Sequence, residues 1–245
     1  MRPDPKADSQ GLDPGWQGRR SGNQGGLTSS VASPWIKVCG IRRTEDAICC
    51  REAGVDAVGL NLFPNSPRFI NEQDLSLLGQ GWPAGLDAVA LFVTPNPSEM
   101  AELVGRHPWI GFIQIHGLDQ PPLDPPPRPW ILAGSAHPKE GFQPLRSLLQ
   151  MCMESGTGPS AVLLDGYKVG MHGGTGVKAP WSLINPKDWP ISLILAGGIN
   201  PANVREAMVT VGPWGIDVAS GVESSTGIKD PGLIKELVSL ARQGT

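Results

Sequence analysis

The sequence predicts a (β/α)8 barrel, and three observations lead to that prediction. Eight short runs of apolar, often β-branched residues occur along the chain, each ending in small or polar residues. Their continuous apolar character is what parallel strands covered on both faces require. Helix signals separate most of the runs, and residues 34–245 are about as many as a small barrel of this type contains. Repeated alternation of strand and helix favours a closed barrel over an open doubly wound sheet.

Each predicted strand is a run of four to six residues. The runs are Ile36–Cys39, Ala57–Leu62, Ala88–Val93, Phe112–His116, Trp130–Ala133, Ala161–Asp165, Leu193–Ala196 and Gly215–Val218. Helix starts are predicted at Thr44, as the cap of an acidic first turn, and at Asn71, Pro201 and Pro231. Gly54 is expected to end the first helix.

Two segments do not fit the repeat. Residues 1–33 are rich in Gly, Pro, Ser and charge and poor in aliphatic residues, so they are expected to form a disordered tail before a single domain spanning 34–245. The connection 117–129, after the fourth predicted strand, contains six prolines. Because proline breaks helices, we expect an irregular loop there in place of a helix.

Composition restricts the partners of the chain. Lys and Arg total 20 against 23 Asp and Glu, a net charge of -3 without long runs of either sign. This argues against nucleic-acid or membrane-surface partners and leaves a small anionic ligand possible. No run is apolar and long enough for a membrane span or a secretory signal, so a cytoplasmic location is expected. The four cysteines show no metal-type spacing and are expected to be reduced thiols, with no metal bound.

Two candidate proton-transfer groups end predicted strands, where the active sites of barrels lie. Asp165 ends the sixth strand, and a partly desolvated carboxyl group there could hold its proton as a general acid must. Capping of loop amides explains Asp165 equally well. Cys39 ends the first strand, where packing as a small buried hydrophobe is the simpler explanation, because reactivity requires a thiolate. The sequence does not decide whether Lys37 points toward this site.

Further candidates follow other strands. Arg68 lies in the loop "NSPRF", where a rigid backbone could present its guanidinium to a carboxylate, although a solvated surface arginine is the ordinary alternative. Gln114 and His116 stand near the end of the fourth strand. His116 could polarise a ligand or simply satisfy a carbonyl at the strand end.

Glycine loops follow the seventh and eighth predicted strands. Gly197 and Gly198 belong to the first loop, and Ser220 and Gly221 belong to the second. Barrels often bind phosphate at these two positions, through bare backbone N–H groups and a short extra helix. Tight turns that need positive φ explain either pair alone, but two loops in the two expected positions favour a phosphate site.

The ordered motifs of the chain resemble the phosphoribosylanthranilate isomerase family of tryptophan biosynthesis. They are "KVCGIRRTEDA", "GLNLFPNSPRFI", "VALFV", "IQIHG", "LLD" followed by "GGTG", "LAGGINPANV" and "DVASGVESSTGIKD". The resemblance runs in order from about Ile36 to Val238. It implies a (β/α)8 barrel that catalyses the Amadori rearrangement of N-(5-phosphoribosyl)anthranilate to 1-(2-carboxyphenylamino)-1-deoxyribulose 5-phosphate.

Carried over to this sequence, the resemblance assigns a role to most of the candidates. It makes Cys39 the general base, Asp165 the general acid and Arg68 the contact of the anthranilate carboxylate. It places the phosphate on the two glycine loops, and it implies no cofactor and a monomer or homodimer. The mobile loop after the sixth strand would act as a lid, and its glycines are Gly173, Gly174 and Gly176.

Local departures and two alternatives remain. Asp119 stands where the family commonly has Glu, "GVKAPW" replaces a more common "GxxFDW", and the tail and the Pro-rich connection are unusual. The first alternative is a related isomerase of the histidine pathway, which uses the same barrel and rearrangement. The resemblance implies Asp in that enzyme where this chain has Cys39, so Cys39 argues against it. A catalytically inactive barrel that binds a phosphorylated ligand is the second alternative, which the presence of Cys39, Asp165 and Arg68 argues against.

Overall fold

The chain closes into a barrel of eight parallel strands that are hydrogen-bonded in sequence order, with the last strand returning to the first. It is described by a computed structural model, for residues 33–137, 139–165, 181 and 184–243. The strands are β1 (Trp35–Cys39), β2 (Ala57–Asn61), β3 (Asp87–Val93), β4 (Phe112–His116), β5 (Trp130–Ser135), β6 (Ala161–Asp165), β7 (Ser192–Leu195) and β8 (Gly215–Val218). All eight predicted strands are present, each within two residues of its predicted ends. The closed barrel is therefore confirmed over the open sheet.

Helices surround most of the barrel. They are α1 (Thr44–Ala53), α2 (Glu72–Gln80), α3 (Pro97–Arg106), α4 (Gln143–Glu154), α5 (Val204–Val211) and α6 (Pro231–Gln243). Asn71 caps α2 as predicted, since its side chain accepts from the Asp74 N–H at 2.8 Å, and Gly54 ends α1 with φ 83°. Two predicted starts are displaced: Thr44 is the first helical residue and not the cap, and α5 begins at Val204, after a turn that starts at Pro201.

The Pro-rich connection between β4 and β5 contains no helix, as the sequence predicts. Residues 117–129 form bends and segments without regular structure, and the Arg128 guanidinium anchors their end by donating to the Ile110 carbonyl at 3.2 Å. A second irregularity follows β8, where β9 (Glu223–Ser225) and β10 (Ile228–Lys229) form a short antiparallel hairpin before α6. This hairpin lies after the carboxyl end of β8 and supplies side chains to the site described below.

Apolar side chains form two layers, because successive residues of a strand point to opposite faces. Those of one face pack between the barrel and the helices, as Ile36 and Val38 of β1 do. Those of the other face fill the inside of the barrel, as Leu91 and Leu163 do. All the described residues belong to one compact unit. Within the described ranges, no helix is both long enough and apolar enough to cross a membrane.

Two predictions concern residues outside the described ranges. The predicted tail, 1–33, falls outside them except for its last residue. The predicted lid glycines Gly173, Gly174 and Gly176 lie within 166–180, which is also outside them. Both stay predictions.

Candidate active site

A cavity of about 620 Å³ opens at the carboxyl ends of the strands. Most of the site residues predicted from the sequence line it, although the predictions drew on separate segments of the chain. They are Cys39, Arg68, Gln114, His116, Asp165, Gly197, Gly198 and Ser220. The fold therefore brings a thiol, a carboxyl group, a guanidinium and glycine-rich backbone to one cavity of a size that suits a small molecule.

Cys39 is buried at the end of β1, with 7% of its surface exposed toward the cavity. Its carbonyl oxygen accepts a hydrogen bond from the Lys229 ammonium at 2.6 Å, and Gly40 turns the chain away with φ 83°. Burial raises the pKa of the Cys39 thiol, and the nearby Lys37 ammonium opposes that effect without cancelling it. The resting group is thus a thiol that needs positive charge beside it to ionise.

Asp165 ends β6 and is 5% exposed in the same cavity. Strands β7 and β8 separate β6 from β1 on one side of the barrel, so Asp165 and Cys39 approach the cavity from different directions. A ligand between the two strand ends would therefore have the thiol and the carboxyl group on different sides. This is the placement that an acid and a base acting on one small molecule need.

Arg68 is 8% exposed, so the alternative of a solvated surface arginine is wrong. Its Nε and Nη2 donate to the two carboxylate oxygens of Glu223, at 2.8 and 2.6 Å, in a bidentate pair. These hydrogen bonds to Glu223 raise the pKa of Arg68 further above its ordinary value. Arg68 also lies against Gly40 so closely that a Cβ there would collide with its side chain. The bidentate contact holds the arginine in one orientation through Nε and Nη2, and Nη1 takes no part in this contact.

Glu223 and Lys229, both from the hairpin after β8, complete this network. Besides the Cys39 carbonyl, the Lys229 ammonium donates to the Ala219 carbonyl at 3.0 Å and to Glu223 at 2.8 Å. Burial would raise the pKa of Glu223, but the hydrogen bonds from Arg68 and Lys229 lower it overall. One buried carboxylate and one buried ammonium thereby connect the Arg68 loop, the end of β1 and the loop after β8. Sequence reasoning assigned neither residue a role, although both lie in the motif "DVASGVESSTGIKD".

Gln114 and His116 point into the barrel from β4, two residues apart on one face. The Gln114 amide nitrogen lies 2.8 Å from His116 Nε2. With the amide donating, this imidazole nitrogen accepts. The Gln114 carbonyl oxygen is buried and has no hydrogen-bond partner among the described residues. It is an unused acceptor beside the cavity.

The two glycine loops reach the cavity by different geometries. Gly197 and Gly198 have φ of 90° and 67°, which only glycine adopts readily. Asn203 holds this loop by donating to the Gly198 carbonyl at 2.9 Å. Gly221 belongs to a three-residue 3-10 helix, Ser220–Val222, and does not line the cavity. A Cβ on Gly221 would collide with the Ile199 carbonyl, so this glycine permits the two loops to touch.

Three interior residues of the site were not singled out from the sequence. Lys37 lies on the face of β1 that Cys39 occupies and is 0% exposed, and its ammonium bonds Asp217 of β8 at 2.9 Å. Gly59 of β2 leaves space for both the Cys39 and Lys37 side chains. The alternation of a strand places Lys37 and Cys39 on one face, and that signal was present in "WIKVC". No group of three or more His, Cys, Asp or Glu side chains in the described ranges is placed to hold a metal ion.

Comparison with known proteins agrees with this arrangement. Residues 36–240 match the family described as N-(5'phosphoribosyl)anthranilate (PRA) isomerase. The N-(5'-phosphoribosyl)anthranilate isomerase of Azotobacter vinelandii is 38% identical over 214 residues, which are 86% of this chain and 99% of that protein. The crystal structure of phosphoribosyl anthranilate isomerase from Thermotoga maritima has a TM-score of 0.71 at 30% identity, covering 86% of this chain and 99% of the other.

A further solved structure bears on the ligand. It is a phosphoribosyl anthranilate isomerase in complex with reduced 1-(o-carboxyphenylamino)-1-deoxyribulose 5-phosphate, with a TM-score of 0.68 at 27% identity. It covers 86% of this chain and 99% of the other. The family match spans most of the described barrel and includes every residue that lines the cavity. This chain belongs to the N-(5'-phosphoribosyl)anthranilate isomerase family.

Proposed function

We propose that this isomerase converts N-(5-phosphoribosyl)anthranilate to 1-(2-carboxyphenylamino)-1-deoxyribulose 5-phosphate, with Asp165 as general acid and Cys39 as general base. The observation that carries the proposal is the presence of both groups in one cavity, at the ends of β6 and β1. The rearrangement needs one proton delivered and another removed at neighbouring atoms of one sugar. Two groups that enter from different sides of the barrel can divide that work.

The reaction proceeds in three steps: ring opening, removal of the C2′ proton and tautomerisation. Asp165 protonates the ribose ring oxygen, the C1′–O bond breaks, and the nitrogen lone pair forms an iminium at C1′. The Cys39 thiolate then takes the proton from C2′, and the electrons of that C–H bond form a C1′–C2′ double bond and neutralise the iminium nitrogen. The resulting enolamine gains a proton at C1′ and loses one from the C2′ hydroxyl to give the ketone. No oxidant or metal enters this balance.

The remaining cavity residues account for binding. Backbone N–H groups at Gly197, Gly198 and Ser220, which line the cavity, suit a phosphate, since glycine lets an anion approach the main chain. Gly221 would contribute by letting the two loops approach each other. Arg68 is the candidate for the anthranilate carboxylate, which it would meet through the Nη1 edge that Glu223 leaves open. Gln114 and His116 also line the cavity and are candidates for contact with the substrate. We further propose that the lid loop with Gly173, Gly174 and Gly176 excludes water during the reaction.

Turnover of freshly generated phosphoribosylanthranilate tests the proposal directly. The fluorescence of the substrate should fall with time in proportion to the amount of enzyme. The double variant Cys39→Ser/Asp165→Asn is the blank, because it lacks both proton-transfer groups. Loss of fluorescence at the same rate with and without micromolar enzyme would refute the catalytic function and favour an inactive, ligand-binding barrel.

Arg68→Ala should mainly weaken substrate binding. We expect KM to rise about 10- to 100-fold with little change in kcat, because a charge-assisted hydrogen bond contributes about 1.5 to 3 kcal/mol. Steady-state kinetics of the variant would measure this. Arg205→Ala is the matched control, since Arg205 is an exposed arginine of α5 that bonds Gln243. A KM equal to that of the control would show that Arg68 does not bind the substrate and only contacts Glu223.

The location, oligomeric state and partners of the protein are also proposals. The absence of an apolar run of spanning or secretory length in the sequence supports a cytoplasmic location. We propose a monomer or a homodimer whose partners are small phosphorylated molecules. One solved relative is a crystal structure of mutually generated monomers of dimeric phosphoribosylantranilate isomerase from Thermotoga maritima. It shares 26% identity with this chain.

A further inference from the structure

Lys37 and Asp217 form an ion pair inside the barrel, at the base of the candidate active site. They face each other in the register of β1 and β8, and the Lys37 ammonium lies 2.9 Å from the Asp217 carboxylate. Lys37 is 0% exposed and Asp217 8%. Removing two charges from water costs several kcal/mol per ion, and apolar residues often replace such pairs without loss of stability. A buried ion pair of this kind is weak evidence for a role in stability, so a role in function is worth testing.

The pair lies directly beside the Cys39 thiol. Lys37 and Cys39 are two residues apart on one face of β1, and the thiol lies close enough to the Lys37 ammonium to affect its pKa. The space around Gly59 of β2 shows how close the Lys37 ammonium is to the Cys39 thiol. A Cβ built on Gly59 would lie 2.6 Å from Cys39 Sγ and 3.0 Å from Lys37 Nζ, so any side chain there would push the two atoms apart.

Charged groups from four segments of the chain interact with Cys39. Burial, the largest effect, raises the pKa of Cys39. Lys37 on β1 lowers it, Asp217 on β8 raises it, and Lys229 on β10 lowers it. The Arg68 guanidinium, from the loop after β2, also interacts with the thiol. Of the three cations, Lys37 has the largest effect on Cys39.

We propose that Lys37, held in place by Asp217, is the positioning residue that stabilises the Cys39 thiolate and so makes Cys39 a competent base. This inference rests on the assignment of Cys39 in the proposed function. Asp217 moderates the effect, because its carboxylate competes with the thiolate for the same ammonium. Lys37 itself stays protonated: burial would lower its pKa, but Asp217 and Cys39 together raise it. The ammonium is therefore a fixed charge and not a second base.

Alkylation of Cys39 tests the proposal without substrate. Iodoacetamide reacts with the thiolate, and mass spectrometry of the Cys39 peptide gives its rate as a function of pH. We expect Lys37→Met to slow alkylation of Cys39 at pH 7.5 by at least ~10-fold, since an adjacent opposite charge typically changes thiolate population by a decade or more. Asp217→Asn should accelerate it. With active enzyme, the acidic limb of kcat/KM should move to higher pH in Lys37→Met and to lower pH in Asp217→Asn.

Controls separate this effect from misfolding and from failure of the proposed function. Lys187→Met, at an exposed lysine, should leave alkylation of Cys39 unchanged. If Lys37→Met does not fold, Lys37→Met/Asp217→Asn removes both charges and should be alkylated more slowly than Asp217→Asn. The role of Lys37 would be overturned if Lys37→Met/Asp217→Asn and Asp217→Asn were alkylated at equal rates. It would also be overturned if Cys39 were alkylated in Lys37→Met at the wild-type rate. If Cys39 is not the base, Cys39→Ser retains kcat while the alkylation difference persists.

Discussion

Asp165→Asn is expected to lower kcat by at least ~10²-fold, the usual scale of a general-acid contribution. Asparagine keeps the shape of the carboxyl group but cannot deliver a proton to the ribose ring oxygen, so ring opening loses its acid. Binding of the product should be largely unchanged, because the contacts proposed for its phosphate and carboxylate are made by other residues of the cavity. Fluorescence-detected kinetics and titration calorimetry with the product would measure the two quantities separately.

Asp119→Asn provides the matched control for this variant. Asp119 is exposed in the Pro-rich connection, so the same chemical change there should leave kcat unchanged. A wild-type kcat in Asp165→Asn would show that Asp165 is only a cap for loop amides. A loss of product binding together with kcat would instead indicate that the carboxylate holds the cavity open or binds the ligand.

Cys39→Ser is expected to lower kcat by a similar factor, at least ~10²-fold. A serine hydroxyl holds its proton far more tightly than a thiol, so the C2′ proton would have no effective acceptor. The pH dependence should change as well. Burial raises the pKa of Cys39, and the thiolate becomes more populated as pH rises, so kcat/KM of the wild type should increase with pH along its acidic limb. That limb should be absent from Cys39→Ser.

Cys49→Ser is the control for the thiol substitution, because Cys49 is a half-buried residue of α1 that lies outside the cavity. It should retain wild-type kcat and the wild-type pH profile. Retention of both by Cys39→Ser would return Cys39 to the interpretation as a packing residue. The neighbouring Cys50, whose pKa burial raises to about 12, should remain unreactive throughout.

The strands and the positions of the candidate residues could be predicted because they depend on local pattern. Continuous apolar runs identify strands buried on both faces, and parallel strands place their carboxyl ends together. Once the barrel was inferred, Cys39 and Asp165 had to lie at the same end of it. The missing helix after β4 was equally local, since the prolines of 117–129 exclude one whatever surrounds them.

The partner of Arg68 could not be predicted from local pattern. Its loop predicted a presented guanidinium, but the bidentate partner Glu223 lies 155 residues away in sequence. Lys229 is 190 residues from the Cys39 carbonyl that it contacts. No short-range pattern specifies such pairs, because they depend on how β8 and its hairpin return to β1 when the barrel closes. The single-sequence interpretation therefore left the surface-arginine alternative open, and the tertiary contacts excluded it.

The sequence alone determined the barrel, the end of it at which the site lies and, through its motifs, the reaction. The barrel and the position of the site follow from the continuous apolar runs and from which residues end each strand, whereas the reaction follows from the resemblance of the motifs to a known family. Only the tertiary structure decided how the site is charged: that Asp217 pairs with Lys37 beside Cys39, and that Glu223 orients Arg68. The physical reason is that electrostatic effects on a buried thiol depend on distances of a few ångströms between distant segments, which closure of the barrel alone establishes.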